Sequence, residues 1–174
     1  MTHRFPAPRT NEDPGTHLNL LVHAWAPRLA ALPDELTVAR PASGGWSARE
    51  LLGHLVDSAT INQWRFVEAR FREDLVFPPY DQDAWVTAQR WQQHAWAPLV
   101  ELWRLANLHL AEQMAHTPED IRLKPRLPHN LDRIAWGTLP AEQPVTLQYF
   151  MEDYVGHMEH HLSRLHAILK AHTP

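Results

Sequence analysis

The chain contains no cysteine. Disulfides, thiolate metal sites and a cysteine nucleophile are therefore excluded, and a reducing compartment is permitted. Lysine is nearly missing, Lys124 and Lys170 being its two copies; the skew toward arginine reads as compositional bias rather than as a site. Apolar runs are short. No stretch approaches about 18 uninterrupted apolar residues, so no membrane span is expected. The opening MTHRFPAPRTNEDPGT lacks the apolar core of a signal peptide, and the expected location is cytoplasmic. A formal charge of -4 and a pI near 6.3 supply no basic field for a nucleic-acid backbone, so neither nucleic acid nor membrane is expected as a partner. Nothing alternates at period two for long enough to argue a strand.

What is present is helical. At 174 residues the chain is long enough for one domain with a proper core, expected over 15–174 behind an irregular arm at 1–14 that carries Pro6, Pro8 and Pro14. Leu18, Leu21, Val22, Trp25, Leu29 and Leu32 recur at helical steps and predict a helix over 15–33, with Pro27 as a possible kink. Ser47-Ala-Arg-Glu50 is a capping box behind Gly44-Gly45, and Leu51, Leu55, Ala59 and Ile61 follow it. A third helix is expected from Trp96-Ala-Pro98 through Leu99, Leu102, Trp103, Ala106, Leu110 and Met114. A fourth is expected over 146–170 through Leu147, Phe150, Met151, Tyr154, Met158, Leu162, Leu165 and Ile168, and a short one over 83–91. Four amphipathic helices joined by long loops at 73–95 and 117–145 predict an all-α four-helix bundle. Long loops in a compact domain tend to cover a functional mouth.

Thirteen histidines give roughly one pair four apart by chance, so such a pair is a weak motif by itself. Placement is more telling. His157 and His161 share a helix face, a turn apart, and both follow the apolar stripe of Tyr154 and Leu165. His54 sits among Leu51, Leu55 and Ile61 on another helix. Brought together, the three imidazoles would hold a divalent transition metal with positions left open. The plainer alternative is core histidines, each satisfied by a hydrogen bond to a neighbour. His160, three residues after His157, could replace His161 as a ligand. Asp153 could be a fourth ligand, and Asp57 or Asp153 could accept the second N–H of a ligating ring; solvated carboxylates are the alternative for both. Trp64, Tyr80, Trp85 and Trp136 are candidates for a pocket wall. Asn62 and Arg65 could meet a polar or anionic group, Arg65 standing three turns beyond His54. Ordinary packing or solvation is the alternative for each, and no general base is assigned.

Three segments, GGWSARELLGHLVDSATINQWRF, PPYDQDAWV and DYVGHMEHHLSRL, resemble the DinB-like superfamily of four-helix-bundle metalloproteins, closest to its branch of metal-dependent hydrolases. The shared pattern is a Trp-Ser helix start at Trp46-Ser47, a histidine seven residues on at His54, and a C-terminal His-x-x-x-His at His157 and His161 with His160 as the extra one. The likeness spans roughly residues 15–170. It implies the DinB-type bundle, often as a homodimer, with His54, His157 and His161 holding zinc or nickel. It also implies a small-molecule substrate and, from better understood relatives, a low-molecular-weight thiol cosubstrate.

A metal with open positions acidifies a bound water or a bound thiol near neutral pH. The expected function is therefore a metal-dependent enzyme catalysing thiol S-transfer or hydrolysis. The alternative is a non-catalytic metal-binding or stress-responsive bundle.

Overall fold

The computed structural model describes residues 13–42 and 44–171, the last four as backbone only. The expected arm thus lies, up to residue 12, outside the described residues, as does the side chain of Ile168. Eight α-helices appear among the described residues: α1 (Pro14–Ala30), α2 (Asp34–Thr37), α3 (Ala48–Glu68), α4 (Gln82–Ala88), α5 (Trp96–Ala115), α6 (Glu119–Arg122), α7 (Leu131–Ile134) and α8 (Leu147–Ala171). The long four, α1, α3, α5 and α8, form the bundle.

Local chemistry sets where they begin. Asp13 caps α1 by accepting from the Thr16 backbone N–H at 2.9 Å, and Pro14 takes the first turn, where a missing N–H costs nothing. Pro14, expected in the arm, therefore belongs to α1. Pro27 does not break α1, which ends three residues later at Ala30. The capping box forms as expected. Ser47 Oγ accepts from Glu50 N at 3.2 Å, and Glu50 accepts from Ser47 N at 3.0 Å. Gly44 and Gly45 precede it with φ of 83° and 101°, a left-handed backbone that favours glycine.

Around the bundle the order is α1, α5, α3, α8, each packing on the next and α8 closing on α1. Helices α1 and α3, and again α5 and α8, therefore face each other across the diagonal. The first link is fastened through Arg49, which ion-pairs with Asp34 at 2.8 Å and donates to Thr37 Oγ1. Trp96 fastens the start of α5, its indole donating to the Leu29 carbonyl at 2.7 Å and its backbone N–H to Asp34. The second link runs through α6 and α7 and contributes isolated backbone bridges, Leu75 with His129 and Arg126 with Val145. No strand forms among the described residues.

The core runs the length of the bundle: Leu18, Val22 and Leu29 from α1, Leu51, Leu55 and Phe66 from α3, Trp103 and Leu110 from α5, and Phe150, Met158 and Leu162 from α8 are all buried. One polar contact crosses the diagonal. Tyr154 on α8 donates to Asn107 on α5 at 2.5 Å, and the Asn107 amide donates back to the Trp103 carbonyl. Burial at that position demands a partner for each polar group, and the pair supplies it.

Candidate metal centre

His54 lies in the second turn of α3 and is fully buried. His157 and His161 project from α8, one turn apart, His161 buried and His157 partly so. Because α3 packs on α8, the three rings meet. Their ring centroids are 5.3 Å (His54–His157), 4.9 Å (His54–His161) and 4.4 Å (His157–His161) apart, and the potential ligand nitrogens all lie within 4.8 Å of one another. Nε2 of His54 stands 3.3 Å from Nε2 of His157. Two nitrogens bound to one tetrahedral zinc at about 2.0–2.1 Å would sit about 3.3 Å apart.

The electrostatics favour neutral rings. Burial lowers the His54 pKa to about 4, assisted by the Arg164 charge. Burial lowers His161 to about 3, with His54, His160 and Arg164 adding to it. His157 falls well below the ordinary imidazole value for the same first reason, followed by its neighbouring histidines. Neutral imidazole is the form that ligates a metal. The hydrogen bonding leaves a gap as well: Nδ1 of His54 and Nδ1 of His161 are buried without a partner, so the plain alternative of fully satisfied core histidines does not describe these rings. The donor set, its spacing and its protonation fit a divalent transition metal.

Trp46 packs on the His54 ring at 4.8 Å between centroids, so the residue that precedes the capping box also braces the centre.

The neighbours expected to assist are placed differently. Asp57 faces away from the centre, accepting from the Trp91 indole at 2.8 Å and from Gln89 at 3.2 Å. Expected as an acceptor for a ligating ring, its carboxylate is claimed instead by Trp91, which opens a short 3-10 turn at Trp91–Gln93. Gly53 makes this possible, since a Cβ there would meet the Trp91 ring at 2.1 Å. Asp153 is held by backbone, accepting from the N–H groups of Trp136 and Gly137 at 2.9 and 2.7 Å. Burial nonetheless raises its pKa to about 6. Neither carboxylate bonds a ring nitrogen of the centre, and neither belongs to the group whose ligand atoms converge. His160 stands to one side, its ring 5.3 Å from His161 and 5.4 Å from Trp136.

A cavity of about 260 Å³ opens beside the rings, and His157, His160, His161 and Asp153 line it. Of the expected wall, the structure brings Asn62, Arg65, Tyr80 and Trp136 to this cavity. It does not bring Trp64, which is 43% exposed and packs edge-on against Phe77. One residue before Arg65, it is turned about 100° off the inward face of α3. Trp85 also stands outside the lining, against Tyr80. Sequence reasoning left out Arg164, Gln82, Phe150 and Tyr154 as cavity residues. Arg164 had a usable signal, being three residues after His161 and four after His160; Gln82 had none, because it opens the short helix α4, outside the four bundle helices.

No family model and no curated protein matches the sequence. A solved structure does match: YfiT from Bacillus subtilis, a "probable metal-dependent hydrolase with an unusual four-helix bundle topology", with a TM-score of 0.73 over 97% of this chain and 93% of that one. The two proteins share a fold. At 17% identity the likeness to YfiT establishes the four-helix-bundle fold.

Proposed function

We propose that this protein is a metal-dependent enzyme of the DinB-like kind, with His54, His157 and His161 holding a divalent transition metal, zinc or nickel, and the adjoining cavity receiving a small-molecule substrate. One observation carries the reading: three imidazoles from two helices, two of them buried and His157 partly so, converge with their nitrogens within 4.8 Å. A metal bound there supplies a Lewis acid that lowers the pKa of water or of a thiol. The chain itself does the rest. The three rings stay unprotonated because burial opposes their charging. Trp46 and the α8 backbone fix their orientation, and Trp136, His160 and Arg164 border the cavity that a substrate would enter.

Two reactions use such a site, hydrolysis and transfer of a low-molecular-weight thiol. The likeness to YfiT supports hydrolysis; the absence of cysteine supports a sulfur nucleophile that arrives with a cosubstrate. A cytoplasmic location, expected from the sequence, and assembly as a homodimer, implied by the resemblance, belong to the same reading.

The decisive experiment is elemental analysis of the purified protein and of His157→Ala, followed by parallel screens for thiol consumption with electrophiles and for ester or amide cleavage. Stoichiometric metal in the parent, its loss in the variant and loss of one activity with the bundle still folded support the proposal. A metal whose removal unfolds the protein without any activity to lose would favour a stabilising site in a non-catalytic bundle.

A further inference from the structure

The polar face of α3 does not end at the histidine. His54, Ser58, Asn62 and Arg65 follow at steps of four, four and three residues, and all are buried, Arg65 at 2% exposure. Ser58, Asn62 and Arg65 line the cavity. Helix packing gains nothing from such a ladder, because each buried polar group must recover the hydration it loses.

Arg65 is the costliest member. A guanidinium carries five N–H donors. Here Nη2 donates to the Pro78 carbonyl at 2.8 Å, and Nη1 reaches Asn62 Oδ1 at a long 3.4 Å. The Tyr80 ring lies 6.0 Å from Cζ. Nε is buried without a partner, and among the described residues no carboxylate forms an ion pair with this cation. Charges elsewhere around the cavity do not compensate. Arg164 adds a second guanidinium, and the one carboxylate of the lining, Asp153, is turned to the backbone N–H groups of Trp136 and Gly137, so cations outnumber anions there. A divalent cation at the rings would deepen the positive excess. A buried cation without a counter-ion, facing a cavity, is built for an anion that comes from outside.

We propose that Arg65 receives the carboxylate of the substrate, so that the cavity selects elongated carboxylic acids whose other end reaches the histidine centre. Arg65 lies eleven residues from His54, about 16 Å along the helix axis, shortened by the lean of side chains toward the helix start. The planar fork of arginine matches a carboxylate in two parallel bonds. The position of the reacting end rests on the metal-dependent reading; capture of the carboxylate by Arg65 does not.

Calorimetric titration separates the two. The probes are hexanoate and its neutral analogue hexanamide against the metal-free protein, then mercaptohexanoate against the zinc-loaded protein. Hexanoate should bind wild type about tenfold or more tightly than hexanamide, as expected for a charge-assisted pair. Arg65→Gln should shrink that preference below about twofold with hexanamide affinity unchanged, Arg65→Lys should retain part of it, and Arg104→Gln, on α5 outside the cavity, should change it little. Equal binding of hexanoate and hexanamide by wild type overturns the proposal whether or not any variant folds, and so does a preference that survives Arg65→Gln in a protein with native circular dichroism. Mercaptohexanoate should gain a further tenfold or so over hexanoate on zinc loading. If that gain is missing while the carboxylate preference persists, the metal reading fails and Arg65 stands.

Discussion

Where α1 meets α5 the backbones nearly touch, and where α3 meets α8 they hold a cavity between them. At the first seam, a Cβ on Gly15 would come within 2.5 Å of the Ala111 carbonyl oxygen and 2.8 Å of Ala115 N. The surrounding side chains, Leu18, Val22, Leu110 and Met114, are apolar and fully buried. At the second seam the buried residues include His54, Ser58, Asn62, Arg65, Asp153 and His161. One seam minimises free energy through contact; the other gives up packing and desolvates polar groups, a cost that bundle formation does not require. The contrast separates the part of the fold that holds it together from the part on which the proposed function rests.

The largest effect should fall on the polar seam and leave the fold alone. His157→Ala, or His54→Ala, should weaken zinc binding by more than about a hundredfold while thermal unfolding of the metal-free protein changes little. Metal titration with a competing chelator, beside a melting curve, checks both halves. Loss of folding together with loss of metal would erase the distinction between the seams.

On the apolar seam the outcome should reverse. Leu110→Ala is expected to cost about 2–5 kcal/mol in denaturant unfolding, with metal stoichiometry retained at temperatures where the variant stays folded.

Acid should act through the polar seam. The folded pKa of His54, about 4, lies below its ordinary 6.5. The unfolded chain therefore binds more protons between those values, and stability of the metal-free protein falls as pH drops from about 6.5 toward 4. His54 alone accounts for about 3 kcal/mol of that fall by its shift. Urea unfolding at a series of pH values should show the slope, and His54→Phe should make it less steep, His157 and His161 supplying the remainder.

The smallest effect concerns the contact across the diagonal. Tyr154→Phe removes the donor to Asn107 and should cost about 1–2 kcal/mol, with the metal centre unchanged. A large loss of metal in that variant would mean that the two seams are coupled.

Much of this was legible beforehand because it is local. The capping box at Ser47 set the start of α3 to the residue, and the stripe through Leu147, Tyr154 and Leu165 placed α8 and the inward face that carries His157 and His161. Asp57 was misread because periodicity reports which face of a helix a residue occupies, not which distant side chain reaches it first; Trp91 stands 34 positions away. Trp64 was misread through its residue type, an aromatic ring suggesting a wall where its angular position pointed outward. Gln82, at the start of the short α4, and the Asp153 cradle at Trp136 and Gly137 lie in the connections between bundle helices, whose paths depend on the bundle they cross.

By itself the sequence determined four amphipathic helices, their inward faces, and a histidine pair locked side by side by the pitch of α8, all consequences of a repeat only a few residues long. Tertiary structure decided that His54, 103 positions from His157, would complete the centre, that burial would keep the rings uncharged, and that Arg65 would lie buried with no carboxylate beside it. Those outcomes depend on distances between helices and on the exclusion of water, and neither exists until α3 packs against α8.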